Sequence, residues 1–249
     1  MPPDNDVSET RKCPHTAFRH LAIDLFPKEI RLGLNLGLFR TFAIPQIAKT
    51  LASTGKMTQS PRARAKATGA MMYTLIRDGL DGPSGSDVIR ILNRLHDRLP
   101  AEDHHFTYVL SAFCITPMEW VERNGVCSPS AGEKKSAYFF YADLARRMNM
   151  KNIPESYEDL ALWMKDYEAH NFCASPEGVE LYSATRNLLS ARLPSFLRML
   201  GPSFTDSLLD PPLRKALRVE EPGVVTRLAV RVILEIWRRK RLRPSSEPF

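Results

Sequence analysis

Apolar residues in this chain recur three and four positions apart, and no window of it alternates apolar with polar residues. Examples are Leu21, Leu25 and Phe26; Ile44, Ile47, Ala48 and Leu51; Met71, Met72, Leu75 and Ile76; and Val88, Ile91, Leu92, Leu95 and Leu99. That period is the helical one, so the chain is predicted to be all-α, with eight to ten helices. Expected helices include 86–99, 105–123, 134–149 and 156–171, with a further amphipathic one from Val224. Turn-rich breaks at Asp81–Ser86, Asn124–Pro129 and Asp210–Pro212 separate them. Ser86 and Ser156 stand where helix N-caps are expected, Ser156 with Asp159 three residues on.

At 43% hydrophobic and 25% charged residues, the 249-residue chain has the make-up of one globular domain rather than a disordered one. We expect a disordered tail over residues 1–15, a helical domain over 16–222, and a basic amphipathic helix with its tail over 223–249. Cys13, Cys114, Cys127 and Cys173 lie far apart without a Cys-x-x-Cys pair, which argues against a disulfide scaffold or a structural zinc site. No stretch reaches the roughly 20 apolar residues of a membrane span. The polar start is unlike a signal or transit peptide. The expectation is an intracellular protein, cytoplasmic or peripherally attached to a membrane.

Several enzyme classes leave no trace. Gly-x-Ser-x-Gly, His-Glu-x-x-His, a phosphate loop and a dinucleotide fingerprint are all absent. Basic charge is unevenly placed: Ile30 to Arg77 contains no acidic residue but holds Arg31, Arg40, Lys49, Lys56, Arg62, Arg64, Lys66 and Arg77. Such a run suits either an anionic cofactor or a solvated face. The C-terminal helix sets Leu228, Val232, Ile233, Ile236 and Trp237 beside Arg227, Arg231, Arg238 and Arg239. It could lie on an anionic membrane or simply pack its apolar side on the core. Nucleic acid is not an expected partner, because no aromatic platform or helix-turn-helix pattern accompanies the charge.

Two helices carry candidate chemistry. Residues 88, 92, 95 and 99 fall within about 60° of one another, and His96 sits about 80° from Val88, on the rim of that stripe. An imidazole there can turn inward to a metal or cofactor, or remain a core histidine bonded to backbone. Arg64 and Thr68, four apart, share one face of the helix from about Arg62 to Arg77, with Met71, Met72 and Leu75 following. A cation and a hydroxyl above an apolar channel suit an oxygen-derived ligand, and also suit a plain amphipathic helix.

Five short motifs occur in a telling order: Leu38-Phe-Arg-Thr-Phe-Ala-Ile-Pro45, Arg64-x-x-x-Thr68-Gly69, Leu92-Asn-x-Leu-His96, His105-Phe-Thr-Tyr-Val-Leu-Ser111 and Pro117-Met-Glu-Trp-Val121. Together they resemble the family that joins the fungal endoplasmic-reticulum oxygenase of mycophenolic acid biosynthesis (MpaB) to the bacterial latex-clearing protein, a rubber oxygenase. The likeness runs from about residue 30 to about 220 and is nearer the fungal branch. It implies an all-helical fold around a b-type haem, and a secondary-metabolism enzyme that uses dioxygen to cleave a carbon–carbon double bond in a hydrophobic, prenylated or isoprenoid substrate. By position His96 matches the proximal iron ligand, and Arg64 and Thr68 match polar residues on the distal side. The rubber-cleaving branch has a lysine directly before that threonine. Here the position is Ala67, with Lys66 as the neighbouring cationic candidate. A glutamate base of that branch has no counterpart, and neither does the N-terminal membrane helix of the fungal enzyme. Arg40, Lys49, Arg62 and Lys66 are the candidates to meet haem propionates, and Arg40 is expected beside His96 as a cofactor-binding residue. The alternative is a catalytically silent helical binding protein that keeps the fold.

Overall fold

Proline sets where many of the helices begin. Pro27, Pro45, Pro61, Pro83 and Pro211 each stand in the first turn of a helix, where the missing N–H is no loss and the fixed φ already suits the helix. The computed structural model describes residues 14–190 and 201–242. Among them are thirteen α-helices, one π-helical turn and no strand, in agreement with the all-α reading. In order these are α1 (Pro14–Arg19, running into a π turn His20–Leu25), α2 (Pro27–Phe42), α3 (Pro45–Ser53), α4 (Lys56–Gln59) and α5 (Pro61–Asp78). Then come α6 (Pro83–His96), α7 (Asp103–Asn124), α8 (Ala131–Arg147), α9 (Tyr157–Asn171) and α10 (Pro176–Ser190). The described chain closes with α11 (Gly201–Asp206), α12 (Pro211–Ala216) and α13 (Val224–Leu242).

Helices of six residues or fewer (α1, α4, α11 and α12) are too short to show a period, which is why the sequence reading counts fewer. Ser156 caps α9 as expected, its hydroxyl accepting from the Asp159 amide at 3.0 Å. Ser86 does not cap α6. Pro83 starts that helix behind an extended Gly82, and Ser86 is already inside, its N–H bonded to the Gly82 carbonyl. The helix also stops early, at His96, because the Leu99 amide turns back to the His96 carbonyl. Of the expected tail over 1–15, residues 1–13 lie outside the described residues, and Pro14 and His15 open α1.

α7 is the axis: thirteen of its 22 residues are buried. α2 lies against it through a glycine seam. A Cβ on Gly33 would come within 2.3 Å of the Pro117 Cα, and one on Gly37 within 2.6 Å of the Ala112 carbonyl oxygen. Only glycine lets the two backbones approach this closely. On one side of the pair, α1, α5, α6, α8 and α9 build a core around Phe18, Leu75, Ile115, Tyr141 and Leu160. On the other, α2, α3, α10 and α12 build a second around Phe39, Phe42, Leu181, Tyr182 and Leu213. α13 packs Val230 and Ile233 on Phe204 of α11.

Candidate active site

Between α2–α3, α5, α6, α7 and α8 lies a cavity of about 220 Å³. α5 turns Arg64, Thr68, Met71 and Met72 to it, positions one helical face apart. α6 and the turn after it contribute Leu92, Leu95, His96 and Leu99. The stripe that the sequence marks as buried is therefore largely cavity wall, and its leucines are only half-buried for that reason. α7 supplies His105, Phe106, Val109, Leu110 and Phe113, and α8 supplies Tyr141 and Leu144, with Met148 just beyond its end. Among the described residues no carboxylate lines this space.

His96, the last residue of α6, stacks its ring on Phe106 at 4.7 Å between centroids and 25° between planes. Burial pushes the imidazole pKa down, the charge of Arg64 pushes it further, and Asp97 opposes both. The ring is thus neutral near pH 7, with a lone pair on one nitrogen, and among the described residues it makes no hydrogen bond. His105 differs. Its Nδ1 accepts from the Glu102 amide at 3.2 Å, which puts the ring proton on Nε2 and leaves no lone pair there. Of the two cavity histidines, His96 is the one equipped as a metal ligand.

The oxygen atoms are equally telling. Thr68 Oγ1 and Tyr141 Oη are buried and have no hydrogen-bond partner among the described residues. Burial pushes the Tyr141 hydroxyl pKa well up, so it is a neutral O–H. The side chain of Arg64, a half-buried residue, makes no hydrogen bond or ion pair with the described residues. Thr116 and Tyr167 also bury hydroxyls unpartnered among the described residues, but off this wall; the pair that line the cavity, with Arg64 beside them, offer donors to a ligand that carries oxygen atoms. Among the described residues no three His, Cys, Asp or Glu side chains gather to hold a bare metal ion. A single imidazole is the donor set that suits an iron bringing its own equatorial nitrogens.

Two candidates lie elsewhere. Lys66 is exposed on α5 and does not line the cavity, as its offset of about 160° from Thr68 implies. Arg40 is also absent from the wall. Its guanidinium forks onto Glu168 of α9, with Nε to Oε1 at 2.6 Å and a second bond from Nη2 to Oε2, while Nη1 bonds Asp210. Tyr108 Oη completes the group, donating to Glu168 Oε1 at 2.8 Å. Burial works against the charge of Arg40, and the bond to Glu168 with the fields of both carboxylates overcomes it, so the pKa is raised. Arg40 therefore joins α2, α7, α9 and the N-terminus of α12, and its charge is already spoken for. Lys49 and Arg62 are exposed and off the wall. The sequence reading missed Tyr141 and Phe106. Tyr141 gives no signal in a helix of core spacing, whereas Phe106 lies inside one of the five motifs.

Among the described residues, this helical cavity brings together one free imidazole, an arginine side chain without a partner and two unpartnered hydroxyls, a set fitted to bind a ligand. Residues 30–239 match the family described as ER-bound oxygenase mpaB/B'/rubber oxygenase, catalytic domain, and the chain belongs to that family. The match runs on past residue 220, where the motif resemblance stops, and takes in most of α13. The chain is also similar to the ER-bound oxygenase mpaB' of Penicillium brevicompactum, 24% identical over 216 residues, covering 80% of this chain and 51% of that protein. It thus spans about half the length of this curated relative.

Proposed function

We propose that this protein is a haem-dependent oxygenase whose cavity holds a b-type haem with His96 as proximal ligand. Its substrates are dioxygen and a hydrophobic, prenylated or isoprenoid compound with a carbon–carbon double bond. The observation that carries the reading is the neutral His96 imidazole, free of hydrogen bonds, facing the same apolar space as the unpartnered Arg64, Thr68 and Tyr141. When bound, haem supplies the reactivity with dioxygen by which a double bond is split into two carbonyl ends. The chain supplies position and environment. Phe106 stacks on the His96 ring and restricts its rotation, and the α6 end sets where the ring stands. Arg64 and Thr68, one turn apart, present donors to oxygen atoms, and the Tyr141 hydroxyl offers another. Leucine, methionine and phenylalanine walls exclude water and receive the hydrocarbon part of the substrate; the methionines adapt to its shape.

A haem titration followed by absorption tests this. Wild-type protein is expected to develop a Soret band, and His96→Ala to lose it or shift it strongly, while His105→Ala keeps it. An unchanged band in His96→Ala would overturn the assignment. A wild type that takes up no haem would leave the fold as a helical binding protein.

A further inference from the structure

The outer side of α13 bears an apolar strip that the fold leaves uncovered. At 100° per residue, Val230, Ile233, Leu234 and Trp237 occupy a sector of about 100°, and this is the side packed on α11. Val230 and Ile233 are 3% and 9% exposed. Val225, Leu228, Val232 and Ile236 occupy a separate sector of about 80°. Their exposures are 83%, 56%, 57% and 46% in that order. A helix needing only to pack on its own domain requires one apolar sector. α13 has two.

Charge says what the second is for. α13 carries six basic residues and one acidic residue, Glu235. Arg239 lies within the exposed strip, Glu235 about 20° outside its edge and Arg231 about 60° outside the same edge. Glu221 pairs with Arg227, and Glu235 pairs with Arg238 and Arg239; Arg231 has no ion pair among the described residues. A second copy of this chain would bring the same positive charge against itself. An anionic lipid surface matches both parts of the pattern, with valine, leucine and isoleucine entering the acyl boundary and arginines meeting headgroups. No described helix is long and apolar enough to cross a membrane, so the contact lies in the interface plane.

We propose that α13 docks the protein on anionic membranes, inserting Val225, Leu228, Val232 and Ile236. The inference stands independently of the haem. The test is co-sedimentation of the full chain with phosphatidylcholine vesicles, with and without phosphatidylserine. Binding is expected only to the anionic vesicles, weakening with salt. Leu228→Asp with Val232→Asp, both exposed and each only a small propensity cost to the helix, is expected to reduce the bound fraction to background while unfolding stays cooperative. Arg231→Gln should weaken binding about fivefold. Equal binding to neutral vesicles, or full binding by the double aspartate variant, would overturn the proposal. So would a wild-type dimer that does not bind vesicles and that the aspartates dissociate in light scattering.

Discussion

The two sides of α7 hold buried polar groups in opposite conditions. On one side Tyr108 meets Glu168 and, through it, Arg40 and Asp210, and the guanidinium and both of its carboxylate partners are bonded. On the other, Phe106, Val109, Leu110 and Phe113 face a cavity where Thr68 and Tyr141 keep hydroxyls without partners and Arg64 keeps a charge without one. Burial alone does not tell a binding site from a structural bond. Satisfaction together with placement does: Thr116 and Tyr167 also bury hydroxyls without partners among the described residues, but away from the cavity, whereas those of Thr68 and Tyr141 sit among the residues that line it, beside Arg64.

This contrast can be broken by substitution, and the largest effect is expected on the closed side. Arg40→Ala removes the shared partner of two carboxylates and leaves Glu168 buried and unpaired. We expect about 3–5 kcal/mol of lost stability in urea unfolding, as for other broken buried pairs. A loss below about 1 kcal/mol would class the cluster with surface pairs and end the contrast. Gly37→Ala tests the seam on which both sides of α7 depend. Its Cβ would meet a backbone oxygen, which cannot rotate away, so a destabilisation of about 1–3 kcal/mol is expected from overpacking. The smallest effects belong to the open side. Tyr141→Phe and Thr68→Val delete hydroxyls that have no partner in the ligand-free protein, so stability there should hold or rise by up to about 1 kcal/mol. Both should weaken the binding of an oxygen-bearing ligand. A clear drop in the melting temperature of the ligand-free variants would show that these hydroxyls are already satisfied.

Much of this arrangement is legible in the sequence, for local reasons. The long helices follow from spacing, and the face shared by Arg64 and Thr68 follows from their separation of four residues. The rim position of His96 follows from its angle to the apolar stripe. Helix ends are less legible where two local signals compete, as when Pro83 starts α6 ahead of Ser86. Arg40 shows where local reading stops. In a stretch without carboxylates it looks like a cation in want of an anion, and its anions are Glu168 and Asp210, 128 and 170 residues away. Whether the Tyr141 hydroxyl has a partner is likewise a tertiary fact, set by α5, α6 and α7 together.

The glycine seam between α2 and α7 also has a mechanical side. Helices that meet through interleaved side chains can slide, because rotamers exchange as they pass. Backbones in direct contact at Gly33 and Gly37 have no rotamers to exchange, so sliding of α2 along α7 is opposed there. α5 and α6, which carry Arg64, Thr68 and His96, bury only Leu75, Ile76, Gly85 and Ile89 between them. The cavity is therefore walled unequally: on one side by a helix locked backbone to backbone, on the other by two lightly buried helices that carry the chemistry.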